Sequence, residues 1–373
     1  PMKVVRRGVL SQDFVDIFTN NCRSPDVNMG DIKAMLGSLD MGRRRVETII
    51  ERHGFDTFIA AQEALSAYSE DKARAVFRLL PDGDYDFWDY MDDDLVTPLP
   101  IRFRVRMTVK DGLVHMDFTG TDPAVAAAYN IPTAGQRNWW LTMRLTSFLL
   151  SHDPSLALNS GMYLPISVTN PPGTVLHAEF PDAVCIRASA PWRLSDAVAG
   201  TILKAAPKLM CAVTGGTMMP FALAEHTADG GRIVNVIQPL RVGMGAFRGR
   251  DGVDGREHAG GGGGRYDMDG EHALGFYWGP WTDSGEVEEQ DERLPHIVLS
   301  RRLDTNFHGF GKFRGGTPLL EVAMGPCGHE ACSMSSWGSS DKLSFNFGLF
   351  GGYAGPPNPR TVLRDTDLLE RLS

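Results

Sequence analysis

Residues 101–119 constrain the fold more tightly than any other stretch, because they read as a hairpin with one self-consistent register. Asp111-Gly112 is a strong two-residue turn signal. Folding about it sets Val109 against Val114, Met107 against Met116 and Val105 against Phe118 on one side. On the other side Arg106 lies opposite Asp117, and Arg102 and Arg104 continue a basic row. Slipping the pairing by one residue would send every apolar side chain to the wrong face. A sheet with one buried and one polar face is therefore expected in the middle of the chain.

The first eighty residues carry a helical period instead. Ser11 is suited to cap a helix containing Phe14, Ile17 and Phe18. A second helix is expected from about Asn28 to His53, with an apolar stripe of Ile32, Met35, Leu36, Leu39, Val46, Ile49 and Ile50, closed by Gly54. A third runs from about Thr57 to Leu80 and stops at Pro81. Three helices in succession suggest an antiparallel helical layer. The acidic segment Asp82–Asp94 is read as a solvated turn anchored by aromatics. Counted from Asp82, a calcium loop would need glycine where Phe87 stands.

Beyond the hairpin, residues 134–150 and 194–206 are expected to be helical, and residues 164–169 and 182–188 extended. Strands follow at 221–225, 232–237, 297–300 and 319–324, the first two joined through Asp229-Gly230-Gly231. Helices first and strands mostly later favour an α+β fold over a doubly wound sheet. The expected organisation is a helical region 1–95, an α+β region 96–240 and a Gly-rich, mainly β region 241–373.

Composition narrows the function. A formal charge of −9 argues against nonspecific binding to nucleic acid, which needs many cations on phosphates. No apolar run approaches the length that spans a bilayer, and no secretion signal is evident, so a cytoplasmic enzyme is expected. Five cysteines at 22, 185, 211, 327 and 332 do not suggest a disulfide framework.

Several residues could carry chemistry. Asp117 sits where a strand enters the Thr119-Gly120-Thr121 turn, a frequent position for functional groups; the alternative is a structural pair with Arg106. Gly260–Gly264 followed by Arg265 could cradle an anion through backbone N–H groups, yet it lacks the Gly-Lys-Ser/Thr ending of a P-loop; a structural loop is the alternative. Cys327, His329 and Cys332 are three possible zinc ligands without a fourth nearby, and buried cysteines beside a turn histidine would look the same. No Gly-x-Ser-x-Gly elbow is present.

The order of several short motifs carries more than any one of them. Asn21-Cys22-Arg23-Ser24-Pro25, Gly30-Asp31-Ile32-Lys33-Ala34, Met116–Thr121, Tyr129-Asn130, Asn159-Ser160-Gly161, Asn170–Thr174, Phe180–Val184, Asp267–Gly270, Gly311–Gly316 and Gly348–Gly352 follow one another. In this order the chain resembles the C-terminal portion of hydantoinase B-type subunits, the family of 5-oxoprolinases and of the large subunits of acetone and acetophenone carboxylases. Phe347–Tyr353 is most similar to the ketone carboxylases.

The resemblance implies a subunit of an ATP-dependent ketone carboxylase, inactive without its partner chains. An ATP-dependent amidohydrolase subunit (hydantoinase, 5-oxoprolinase or lactamase type) or a noncatalytic assembly subunit are the alternatives. The implied partners are a kinase-like hydantoinase A-type subunit and a chain supplying the N-terminal metal-binding portion, with bicarbonate and a ketone as substrates. The family's His- and Asp-rich metal segments precede the Asn21–Pro25 motif, where this chain has only Asp13 and Asp16 as carboxylates. ATP and the divalent metal are accordingly expected on partner chains, and an apolar helical face is expected to await a partner. Arg187, Arg265, Asn130 and Asn159 are the candidates within this chain for contact with substrate, Arg187 and Asp117 for catalysis.

Overall fold

The computed structural model describes residues 2–22, 25–94, 96–184, 189–212, 221–226, 232–237, 267–269, 272, 288, 297–324, 332–336, 342–344, 346–357, 361–364, 366–367 and 371. For 27, 221–226, 232–237, 319–324 and 332–336 only the backbone is described. The expected mixture of early helices and later, mostly antiparallel strands is observed. The chain divides into two compact units, Pro1–Tyr68 and Ser69–Ser373.

The first unit opens with a ribbon of β1 (Val5–Arg6) and β2 (Val9–Leu10), then α1 (Gln12–Asn20), which packs on α2 (Pro25–His53). Ser11 caps α1 as expected, its hydroxyl accepting from Phe14 N at 3.4 Å. α2 begins at Pro25, three residues earlier than expected, because proline's fixed φ and missing N–H suit the first helical turn. Gly54 ends it with φ +83°, a conformation costly for other residues. Asp40 binds Arg43 and Arg44, and Arg43 also reaches Glu47, a ladder of i,i+3 and i,i+4 pairs on a solvated helix. The apolar stripe stays largely uncovered: Met35, Leu39, Val46 and Ile49 are all exposed.

The second unit takes in the end of α3 (Phe55–Phe77) and a four-stranded sheet of order β3-β4-β5-β6. β4 (Ile101–Lys110) and β5 (Leu113–Asp117) form the expected hairpin, with Val109 paired to Val114, Met107 to Met116 and Arg106 to Asp117. Asp111 and Gly112 take φ +47° and +72°, as a primed turn requires. Phe103, Val105, Met107, Met116 and Phe118 are fully buried. Each such side chain contributes about 1.5–3 kcal/mol by leaving water. β6 (Ile166–Thr169) joins β5 in parallel after α4 (Trp139–His152).

The acidic segment differs from the expectation. It is not a turn but β3 (Gly83–Met91), the edge strand paired along its whole length with β4. Asp84, Asp86, Trp88 and Tyr90 line one face and Tyr85, Phe87 and Met91 the other. The period of two was present, but the carboxylates hid it. On the outer face Arg104 and Arg106 neutralise Asp86, and the Thr108 hydroxyl donates to Asp84, which eases the repulsion expected of an acidic strand.

α5 (Ser189–Ala205) starts five residues before the expected helix, and every residue from Ser189 to Leu203 is buried. It packs on β3, β4 and α4. Gly200 permits the approach: a Cβ there would lie 2.5 Å from the ring of Phe87. Lys204 Nζ donates to Asp86 O at 2.6 Å and lies over the Phe87 ring. Asp182–Val184 are not extended strand, and the remainder of the expected strand 182–188 lies outside the described residues.

Later, β7 (Phe221–His226) and β8 (Arg232–Ile237) pair antiparallel, as expected from the sequence, with β11 (Cys332–Ser336) on the far side of β7. β9 (Ile297–Leu303) pairs with β10 (Leu319–Met324).

Candidate functional site

Alternation along β3 places one charged residue on the wrong side. Asp89 pairs with Phe103 on the face that carries Tyr85, Phe87 and Met91, toward the core rather than solvent. Helix α5 meets it there: Arg193 Nη1 lies 3.3 Å from Asp89 Oδ2. Arg193 and Asp196, three residues apart on one helical face, form a close ion pair. Asp196 Oδ1 in turn accepts from Nη2 of Arg144, on α4, at 3.3 Å. Arg193, Asp196 and Arg144 are essentially inaccessible to solvent. Three elements are thus joined by a buried chain of two carboxylates and two guanidinium groups.

The charges balance, as a buried set requires, since one uncompensated ion in such a place costs several kcal/mol. Burial raises the Asp89 carboxyl to about 6, against the attraction of Arg193 and the hydrogen bond from its neighbour Tyr90 N. Asp196 is likewise raised by burial, opposed by Arg193 and Arg144. Asp89 therefore keeps its proton to a higher pH than an ordinary carboxylate, and the network ties the start of α5 to the sheet. Neither Asp89, Arg144, Arg193 nor Asp196 was singled out from the sequence. The available signals were a carboxylate at an inward position of an alternating strand and an Arg/Asp i,i+3 pair within a helix that is otherwise apolar.

The residues proposed from the sequence are dispersed. Asp117 turns its carboxylate back on its own loop, accepting from Thr119 N at 2.9 Å and Thr119 Oγ1 at 2.6 Å. Arg106 faces it in register but binds Asp86 instead, at 2.9 Å through Nε, beside Arg104 on the same carboxylate. That pairing with two guanidinium groups holds the Asp86 carboxyl below the usual range, although burial opposes it.

Asn130 is fully buried. Its Oδ1 accepts from Val125 N at 2.8 Å, and its Nδ2 donates to Val125 O, Ala127 O and Ala183 O. Asn159 accepts from Gly161 N and donates to Ser69 Oγ, each at 2.8 Å, which caps the short 3-10 turn Ser160–Tyr163. Both amides are occupied in organising loops. Arg187, Arg265, Cys327 and His329 lie outside the described residues, and only the backbone of Cys332 is described.

The described residues do not form a set suited to a divalent metal. No group of three or more His, Cys, Asp or Glu is arranged among them to hold one. The buried carboxylates are engaged with cations or amides: Asp92 accepts from Leu343 N at 2.8 Å, Asp93 pairs with Lys342, and Asp94 accepts from Val96 N and Thr97 N. No helix among the described residues is long and apolar enough to cross a membrane.

With this architecture in view, comparison with known proteins defines the class. The hydantoinase B/oxoprolinase family profile matches residues 1–259 and 256–371, so the chain belongs to that family. A protein of Pseudomonas sp. (strain NS671), named as a B-type component of a D-/L-hydantoinase, is 30% identical over 84% of this chain and 51% of its own length. The acetophenone carboxylase delta subunit of Aromatoleum aromaticum is 23% identical over 100% of this chain and 52% of its own. Among solved structures, nucleotide-free acetone carboxylase shares the fold with a TM-score of 0.75 at 17% identity, over 96% of this chain and 46% of that one. The ATP-dependent caprolactamase of Pseudomonas jessenii shares it with a TM-score of 0.65 at 22% identity, over 85% and 52%. The chain spans about half the length of the curated relatives it matches.

Proposed function

We propose that this chain is a subunit of an ATP-dependent carboxylase acting on a ketone of the acetone or acetophenone type. One observation carries the choice: likeness to the two carboxylases extends over 96–100% of the chain, whereas likeness to the hydantoinase and caprolactamase relatives stops at 84–85%. In this reading a kinase-like subunit of the hydantoinase A type transfers the γ-phosphoryl group of ATP to bicarbonate, releasing ADP. The carboxyphosphate breaks down to carbon dioxide and phosphate, and the carbon of the ketone's enolate adds to the carbon dioxide to give a β-keto carboxylate. In this reading ATP and a divalent metal are held by partner chains. Here the chain contributes a wall of the reaction chamber. The Asp89–Arg193–Asp196–Arg144 network holds α5 in place against the sheet, which keeps bulk water from its core side.

The second reading is an ATP-dependent amidohydrolase opening a lactam or cyclic imide, favoured by the 30% identity with the hydantoinase relative. ATP hydrolysis by the purified assembly separates the two. The carboxylase reading expects turnover that requires both ketone and bicarbonate; turnover with a hydantoin or lactam and no bicarbonate requirement would establish the hydrolase instead.

A further inference from the structure

Helix α2 carries a pattern that the described residues leave uncovered. Ile32, Met35, Leu39, Gly42, Val46 and Ile49 follow one another at alternating steps of three and four, and Asn28 and His53 continue the series at its ends. Such spacing is the seam along which two helices pair. On one flank Met29 is buried and Leu36 half-buried, in a helix on which α1 packs. Along the seam itself Met35, Leu39, Val46 and Ile49 are 40–71% exposed. The next helix does not cover them. α3 begins one residue after α2 ends, whereas two helices folded back on each other need a loop of about two to five residues. Phe55, Ile59 and Leu65 of α3 are themselves exposed.

Gly42 gives the seam its shape. A glycine inside a helix weakens it relative to alanine. Here the backbone is ordinary helix, and a Cβ would meet no described atom within 4 Å. The glycine leaves a notch in the apolar stripe one turn from Leu39, the most exposed of the four seam side chains. A parallel pair of α2 helices would set notch against notch and leave a void. An antiparallel pair centred between Asp40 and Met41 fills it, because Leu39 of each copy enters the notch at Gly42 of the other. In that register Ile32 faces Ile49 and Met35 faces Val46, each contact occurring twice about a two-fold axis. Charge agrees along one flank, where Asp31 meets Arg52 of the other copy and Arg45 meets Ser38. The overlap of residues 28–53 is about 39 Å long at a rise of 1.5 Å per residue, the three or more heptads that a stable pair needs.

We infer that α2 is a self-association surface whose occupant is α2 of a second copy of this chain, running antiparallel. No substrate enters this inference, so it stands apart from the carboxylase reading.

Sedimentation velocity of the full chain, from micromolar to submillimolar concentration, tests it. A reversible monomer–dimer equilibrium is expected. Leu39→Asp is expected to weaken the dimer at least tenfold. Arg52→Asp sets like charges against Asp31 at both ends and is expected to weaken it about tenfold. Adding Asp31→Arg to Arg52→Asp is expected to restore the affinity to within about threefold, which only the antiparallel register allows. Circular dichroism and thermal melts establish that the variants keep their helices and their fold. A chain that stays monomeric throughout, as it would if a different polypeptide covers the stripe, would overturn the proposal. So would a dimer indifferent to Leu39→Asp in the folded variant, or a charge exchange without rescue.

Discussion

Asp89 and Arg193 meet 3.3 Å apart where the edge strand β3 passes under helix α5. Their contact links the sheet to a helix that is buried on all sides, and Asp196 and Arg144 extend it to α4. Removing one partner should cost more than removing a neighbouring pair together. Arg193→Met is expected to destabilise the protein by about 3–5 kcal/mol, because two buried carboxylates lose a counter-ion. Asp89→Leu added to Arg193→Met should recover part of that loss. Urea unfolding of the single and double variants gives the coupling; strictly additive effects would show that the pair does not act together.

The same carboxylate makes stability depend on pH in an unusual direction. Asp89 has an ordinary value of 3.8 raised to about 6 in the folded state, so the native protein holds its proton more tightly than the unfolded chain does. Its contribution is therefore largest at low pH and declines as pH rises from about 4 to about 6, by roughly 3 kcal/mol. Asp196 acts in the same sense. Asp86 and Asp94, both lowered, act oppositely, and what they contribute is lost as pH falls below the normal carboxylate range. Asp89→Asn should flatten the stability profile between pH 4 and 6. An unchanged slope there would rule out Asp89 as its source.

Gly200→Ala is expected to destabilise by roughly 1–3 kcal/mol through overpacking, although alanine is the better helix former by about 1 kcal/mol. The new methyl would sit 2.5 Å from the Phe87 ring. Combining Gly200→Ala with Phe87→Leu should restore part of the melting temperature lost to the glycine substitution, and a stabilised single variant would contradict the close approach.

Asn130→Ala should cost about 1–3 kcal/mol, since it takes the acceptor from Val125 N and the donor from Val125 O, while Ala127 O keeps Tyr129 N. Asn130→Asp should fail to rescue it, because a carboxylate has no proton for the carbonyls of Val125, Ala127 and Ala183. Hydrogen exchange at Val125 N reports directly on this amide; unaltered protection in Asn130→Ala would remove its organising role.

The parts of the fold that were legible beforehand are those governed by local chemistry. The Asp111-Gly112 turn set the hairpin register, Ser11 and Gly54 marked helix ends, and β7 with β8 followed from alternating residues around a glycine turn. β3 was missed because the charge on Asp84 and Asp86 outweighed its period of two until Arg104 and Arg106 were seen beside it. The start of α5 was missed because Ser189, Pro191 and Arg193 look like loop or surface residues, and only burial on every side reveals otherwise. Asn130 and Asn159 were recognised as important polar positions, but their partners lie up to 90 residues away, a relationship that no local pattern encodes. The contacts of His272 with Thr317 N and of His308 with Gly309 O rest on single backbone atoms and have no sequence signature at all.

The central functional claim is carboxylation of a ketone, and isotopic labelling tests it most directly. The assembled enzyme, supplied with ATP, 13C-bicarbonate and acetone or acetophenone, is expected to place the label in the carboxyl carbon of the corresponding β-keto acid, with ATP consumed in proportion. Unlabelled ring-opened product from a hydantoin or lactam, with no 13C entering any product from the ketone, would contradict it.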